Sequence, residues 1–162
     1  MAGDNWTPSE VKSHINFLEL LAVFHSLKAF NDKLEGQHVK IMCDNTTAVC
    51  CKNHMGTSHS ECCNALTVEI WEWCVEHDIW LTAAHIPGAA NVQGDYESRV
   101  VHTGKEWQLN KEMLQCTLVA LEYQPTIDLF ASRHNAQCHS YVSYRPDPDS
   151  IAVDAFTLNW HH

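Results

Sequence analysis

Apolar residues recur as Phe17, Leu20, Leu21, Phe24, Leu27 and Leu34, the spacing of one helix face. The spacing predicts a helix over 16–35, opened by Asn16 as cap with Glu19 three residues on, and stopped by Gly36. Ahead of it, Trp6-Thr7-Pro8-Ser9-Glu10 combines a cap Thr, a Pro in the first position and a Glu in the third, which predicts a short helical turn. Val39-Lys40-Ile41-Met42-Cys43 is a short strand bounded by Gly36 and by Asp44-Asn45-Thr46. Thr46 or Thr47 then caps a brief helix through Lys52, and Met55-Gly56-Thr57-Ser58 is a turn. A second long helix starts at Ser58 or Ser60, carries Leu66, Ile70, Trp73 and Cys74 on one side, and ends at His77-Asp78. Residues 79–86 form a second strand stopped by Pro87-Gly88, and 91–100 a last short helix. The order helix–strand–helix–strand–helix predicts an α/β fold with parallel strands covered by helices.

After Gly104 the pattern changes. Residues 111–121 read as helix, 126–130 and 140–144 as strands, and Arg145-Pro146-Asp147-Pro148-Asp149 as a loop. A domain boundary is placed at 102–106, giving one domain over 6–101 and a second segment over 106–162.

Composition narrows the function classes. With 45% hydrophobic and 19% charged residues among 162, the chain is globular in type. No apolar run approaches the roughly 20 residues of a membrane span, and no basic segment leads into an apolar one at the start. The expectation is therefore an intracellular protein, cytoplasmic or nuclear, without a membrane partner. The net charge of −10 argues against a domain that grips nucleic acid by surface charge alone. It suits a site that gathers carboxylates around divalent cations. The eight cysteines contain no C-x-x-C pair, and free thiols are expected rather than disulfides. Cys51, His54, His59 and Cys62 have ligand types that zinc takes, but they crowd one turn instead of forming two separated pairs. No zinc cluster is expected there.

Three carboxylates fall where secondary structure can aim them together. Glu19 lies at the start of the long helix, Asp44 ends the first strand, and Asp95 lies in the short helix after the second strand. In open α/β sheets, sites form beyond the carboxyl ends of strands. Converging carboxylates there can hold two divalent ions roughly 3.5–4 Å apart, one for an attacking water and one for a leaving oxygen. Each residue also has a local use: Glu19 in a capping box, Asp44 in a turn, Asp95 on a helix dipole. His85 by itself reads as a strand-end histidine.

The segments His14-Ile15-Asn16-Phe17-Leu18-Glu19-Leu20-Leu21-Ala22-Val23 and Cys43-Asp44-Asn45-Thr46-Thr47-Ala48 come in order, followed by His85-Ile86-Pro87-Gly88 with Asn91, Asp95, Ser98 and Arg99. Together they resemble the RNase H-like domain of retroelement reverse transcriptases, closest to the tyrosine-recombinase elements of the DIRS type. The likeness runs from about Trp6 to Arg99. It implies an RNase H-like fold, Mg2+ or Mn2+ as cofactor, and cleavage of RNA in an RNA–DNA hybrid. It implies that Glu19, Asp44 and Asp95 belong to a four-carboxylate, two-metal site. His85 matches the His of the family's HIPG motif, as an accessory residue of open role.

The same likeness marks what differs. The family opens with a three-stranded meander whose first strand bears another catalytic Asp. Only fifteen residues precede the long helix here, they do not read as a meander, and Asp4 does not map to that Asp. The expectation is an incomplete RNase H-like fold, short of one ligand and of the strand beside 39–43. Upstream reverse transcriptase sequence, or another chain, would cover that edge. The enzyme reading is weighed against a non-catalytic retroelement relic or a nucleic-acid- or protein-binding module. Glu106-Trp107, Thr126-Ile127-Asp128-Leu129-Phe130 through Ala136, and Asp154-Ala155-Phe156 with Trp160 resemble the segment that follows RNase H in these elements. More loosely they resemble the opening of phage-type adenine methyltransferases, truncated before any Asn-Pro-Pro-Tyr-like motif. Asp128 reads better as a turn acid than as a cofactor ligand.

Overall fold

The computed structural model describes residues 6–57, 60–99 and 107–159. The chain divides into two compact units, one of residues 3–102 and the other of residues 103–162 with the first two residues. The architecture is mixed α/β with parallel strands, and no helix among the described residues is long and apolar enough to cross a membrane. His59, Glu106 and Trp160, singled out from the sequence, lie outside the described residues, as does Asp4.

The first unit opens on the expected capping box. The Thr7 N–H donates to Glu10 Oε2 at 2.7 Å, and the Glu10 N–H donates to Thr7 Oγ1 at 3.4 Å. The turn it starts is a 3-10 turn, Glu10–Lys12. Glu10 Oε1 lies 3.3 Å from His25 Nε2, which ties this turn to the first helix.

That helix, α1, spans Ile15–Ala29, and a separate turn, α2, spans Asn31–Leu34. The single helix read from the periodicity is thus interrupted at Phe30, whose φ of −116° and ψ of 16° leave the helical region. Ser26 donates its hydroxyl to the Ala22 carbonyl at 2.8 Å one turn earlier, a local competition that bends helices. The apolar face still drives the packing: Leu20, Val23, Phe24 and Leu27 are buried, with Phe17, Leu21 and Leu34 packed against them.

β1 (His38–Cys43) is followed by α3 (Thr46–Asn53), α4 (Glu61–Glu76) and β2 (Trp80–His85). β1 and β2 pair in parallel, from His38 opposite Trp80 to Cys43 opposite His85. Ser60 caps α4, accepting from the Cys63 N–H at 3.3 Å. Cys63, Leu66, Ile70 and Cys74 of α4 meet α1 and the strands in one core. Val39 and Ile41 turn toward that core and Cys43 is buried in it, whereas His38, Lys40 and Met42 are exposed. Asn91 follows the His85-Ile86-Pro87-Gly88 exit and opens α5 (Val92–Arg99), its carbonyl accepting from the Asp95 N–H at 2.9 Å. Gly94 packs closely there: a Cβ would lie 2.5 Å from Asn91 Oδ1, so a larger residue would displace the Asn91 side chain.

The second unit holds α6 (Lys111–Ala120) and three short parallel strands in the order β3 (Ile127–Asp128), β4 (Ser140–Ser143), β5 (Ala152–Val153). The strand read over 126–130 is only two residues long, because Asp128 ends it. Its Oδ1 accepts from the Phe130 N–H at 3.3 Å and its Oδ2 from the Gln137 N–H at 3.2 Å. The loop after β4 is organised by Asp147, which accepts from the Tyr141 hydroxyl at 2.6 Å and from the Arg133 N–H at 3.0 Å. Burial, then this bond to Asp147, pushes the Tyr141 hydroxyl well above its ordinary range.

Candidate functional site

The carboxyl end of β1 gathers three potential ligand side chains. Strand alternation that sends Val39 and Ile41 to the core sends Cys43 there too, toward α1. Glu19 of α1, Cys43 and Asp44 offer ligand atoms that all lie within 4.8 Å of one another. Cys43 Sγ is 4.0 Å from Glu19 Oε2. Cys43 is buried, Glu19 half-buried and Asp44 exposed, so the group opens to solvent on the Asp44 side.

Two local readings of the sequence change here. The cap of α1 is His14, whose Nδ1 accepts from the Asn16 N–H at 3.2 Å. Glu19 therefore lies beyond the first turn and is not the third residue of a capping box. Asn16 is instead the second residue of the helix, and its Oδ1 accepts from Asn45 Nδ2 at 3.0 Å. The cap of α3 is Asn45, not Thr46 or Thr47, since Asn45 Oδ1 accepts from the Ala48 N–H at 3.0 Å. The Asn45 N–H also donates to Cys43 Sγ at 3.4 Å. One asparagine thus joins the strand end, the start of α3 and the start of α1, fixing the backbone that presents Cys43 and Asp44.

The second strand delivers its turn to the same place. The Ile86 N–H donates to the Cys43 carbonyl at 3.0 Å. A Cβ on Gly88 would lie 3.7 Å from Asp44 Oδ2, so the Pro87-Gly88 turn sits against the Asp44 carboxylate. A groove of about 520 Å3 lies between α1 and β1, with Glu19, Cys43, Asp44, Asn91 and Gly94 in its lining. Its apolar part comes from Leu27 of α1, Phe30 just beyond it, and Val39 and Ile41 of β1.

The predicted residues are therefore placed as follows. Glu19 and Asp44 come together. Asp95 follows Gly94 on α5, at the same end of the sheet, but is not a member of the close group. His85 is exposed at the end of β2, opposite Cys43 in register. Cys43, Asn45 and Asn16 were not singled out as site residues from the sequence. The signal for Cys43 was its phase with Val39 and Ile41.

The cysteines are all free thiols. Cys51 is buried in the core, whereas His54 and Cys62 are exposed. These three do not form a ligand group among the described residues. Burial, reinforced by the neighbouring Cys63, pushes the Cys51 thiol up. Burial also pushes the Cys74 thiol up to about 11.

Glu19 and Asp44 offer the oxygen donors that Mg2+ or Mn2+ takes, and in that respect they fit the cofactor the family likeness implies. Cys43 offers sulfur, a softer donor that does not suit Mg2+. No protein-family model, curated protein or solved structure matches the chain.

Proposed function

We propose that the first unit is an RNase H-like domain of a retroelement reverse transcriptase, of the DIRS type, which hydrolyses the RNA strand of RNA–DNA hybrids. The observation that carries this reading is the meeting of Glu19 with Asp44 beyond the carboxyl end of a parallel strand. That is where α/β sheets place their chemistry. The order of the motifs along the chain supports it, as does the Pro87-Gly88 turn against Asp44.

Bound Mg2+ or Mn2+ would supply an activated water and neutralise charge on the phosphodiester. The chain's own residues do the positioning. Glu19 and Asp44 would hold the cation from two elements, and Asp95, outside their close group, would have to move in from α5 to join them. Asn45 locks the strand end, so Asp44 does not need to reorganise as the reaction proceeds. Apolar residues of the groove lining form one flank of the site. With ten Lys and Arg against twenty Asp and Glu, phosphates meet little general attraction, so cation bridging at the site carries the contact. Recognition then turns on hybrid shape and the 2′-hydroxyl.

A second reading has its own observation. Among the described residues the outer edge of β1 carries no strand, and the family's remaining Asp would stand on such a strand. In this reading the chain is a non-catalytic relic or a binding module. In the enzyme reading, upstream reverse transcriptase sequence or another chain supplies the strand. The second unit is then the segment that follows RNase H in these elements. Asp128 accepts two backbone N–H bonds within its turn, which favours the turn-acid reading over a methyltransferase-like cofactor role.

The test is cleavage of an RNA–DNA hybrid, a DNA duplex and an RNA duplex with Mg2+ or Mn2+, with the covering strand supplied. Scission of the RNA strand of the hybrid alone is expected. Glu19→Gln and Asp44→Asn should each slow it by about a hundredfold or more, the scale of a misplaced reacting group. Cleavage that is equal on all three substrates, or indifferent to Asp44→Asn, overturns the reading.

A further inference from the structure

The donor set at the end of β1 is not the one a pair of hard cations wants. We propose that this site takes a thiophilic divalent cation, Zn2+ above all, with Cys43 Sγ as a ligand beside Glu19 and Asp44, and that such an ion displaces Mg2+ and arrests hydrolysis. The inference rests on the reading of Glu19 and Asp44 as a cation-holding pair.

The geometry favours one shared ion. A tetrahedral zinc with sulfur at about 2.3 Å and carboxylate oxygen at about 2.0–2.2 Å sets the two ligand atoms roughly 3.6 Å apart. Cys43 Sγ and Glu19 Oε2 are 4.0 Å apart, so a rotamer adjustment of a few tenths of an ångström brings this pair to zinc spacing, and the Asp44 carboxylate, within 4.8 Å of both, swings in by up to roughly an ångström to join them. Three protein ligands with the fourth position open is the arrangement of zinc sites that also hold water or substrate. Asp44, exposed, stands at the open side and provides the entry path.

The chemistry favours a soft ion. Thiolate selects zinc and its analogues over Mg2+, which demands oxygen ligands in near-octahedral array. Cys43 is 6% exposed, so water competes weakly for the sulfur. The Asn45 N–H already donates to Sγ, a bond that a thiolate accepts more strongly than a thiol. The free thiols at Cys50, Cys62 and Cys116 are exposed and have no such carboxylate pair within reach among the described residues.

The experiment is a Co2+ titration of the full chain, followed by optical absorption. Co2+ reports both tetrahedral geometry and sulfur ligation. One equivalent should produce tetrahedral bands together with a sulfur-to-cobalt charge-transfer band. One equivalent of Zn2+ should abolish both, and a large excess of Mg2+ should not. Cys43→Ser should remove the charge-transfer band and weaken Zn2+ by about tenfold or more, since even residues that only support a ligand act on that scale. Cys62→Ser should leave it intact. If Cys43→Ser fails to fold, Glu19→Gln is read instead: Co2+ binding should weaken at least as much while the sulfur band persists at saturation. Absence of the band in the wild-type chain, its survival in Cys43→Ser, or Co2+ affinity unchanged in Glu19→Gln overturns the proposal. Cobalt spectra report ligation whether or not hybrids are cut. Asp44-dependent cleavage without the band therefore defeats only this inference, and the band without cleavage defeats only the hydrolase reading.

Discussion

Asn53 holds Ala83 as a neighbouring strand would: its Nδ2 donates to the Ala83 carbonyl at 2.9 Å and its Oδ1 accepts the Ala83 N–H at 3.1 Å. Asn53 is the last residue of α3, so the helix that begins at the end of β1 finishes on the outer edge of β2. Ala83 is buried, and without the asparagine both its backbone groups would lose their partner. Asn53→Ala should lower stability by about 1–2 kcal/mol, the usual cost of stranding such groups. The urea midpoint of the first unit checks this, and an unchanged midpoint contradicts it.

Asp78 ends α4 with a φ of 54°, in the left-handed region that costs residues with a side chain roughly 1 kcal/mol. The Ile79 N–H donates to the Cys74 carbonyl at 2.8 Å and the Asp78 N–H to the Val75 carbonyl at 3.3 Å, the bonds of a helix-ending turn that favours glycine. Asp78→Gly should therefore raise stability by about 0.5–1 kcal/mol. Asp78→Val should lower it by at least as much, because a β-branched residue tolerates that φ worst. Thermal unfolding of the two variants gives the sign directly.

Much of the fold could be read from residue spacing, and the rest depended on contacts between distant residues. Leu20, Phe24 and Leu27 on α1, and Leu66, Ile70 and Cys74 on α4, mark their buried faces by period alone. The pairing of β1 with β2 follows from their helical crossover. The choice of cap at Asn45-Thr46-Thr47 does not, because all three residues cap well. What selects Asn45 is Asn16, twenty-nine residues earlier. The same contact holds Asn16 inside α1 and frees Glu19 from capping. The break at Phe30 and the two-residue strands β3 and β5 are also too local for periodicity to register. At the candidate site, carboxylates were visible as residue types. Cys43 belongs to it only because strand phase and the seat of α1 put its sulfur beside Glu19.

The buried thiols make stability fall in alkali. Cys74 is fully buried, and its thiol is raised from 9.0 to about 11 by that burial. The unfolded chain ionises first, so the stabilisation is complete below pH 9 and is lost as pH rises from 9 toward 11. Cys51 shifts in the same direction. Cys74→Ala should be less stable than the parent at neutral pH, by about 1 kcal/mol for the lost packing, yet should show a shallower decline in alkali. Denaturant melts of the first unit at neutral and alkaline pH measure this, and parallel declines in parent and variant contradict it.

Among the described residues the outer edge of β1 is unpaired, and this bears on the central claim. Val39 and Ile41 of β1, and Phe30 after α1, line a groove beside the candidate site. A bare strand edge there invites pairing, and two-metal hydrolysis needs its cations fixed before the water attacks. A strand that fills the groove and brings one more carboxylate would repair both at once.

The most direct measurement is the rate of RNA-strand cleavage in an RNA–DNA hybrid with Mg2+ or Mn2+. It is taken on this chain, on the chain preceded by an antiparallel meander bearing an Asp, and on that extended chain with Asp44→Asn. The account predicts slow or undetectable cleavage by the first, clear cleavage by the second, and its loss in the third. Equal rates for the first two, or full activity after Asp44→Asn, would contradict it.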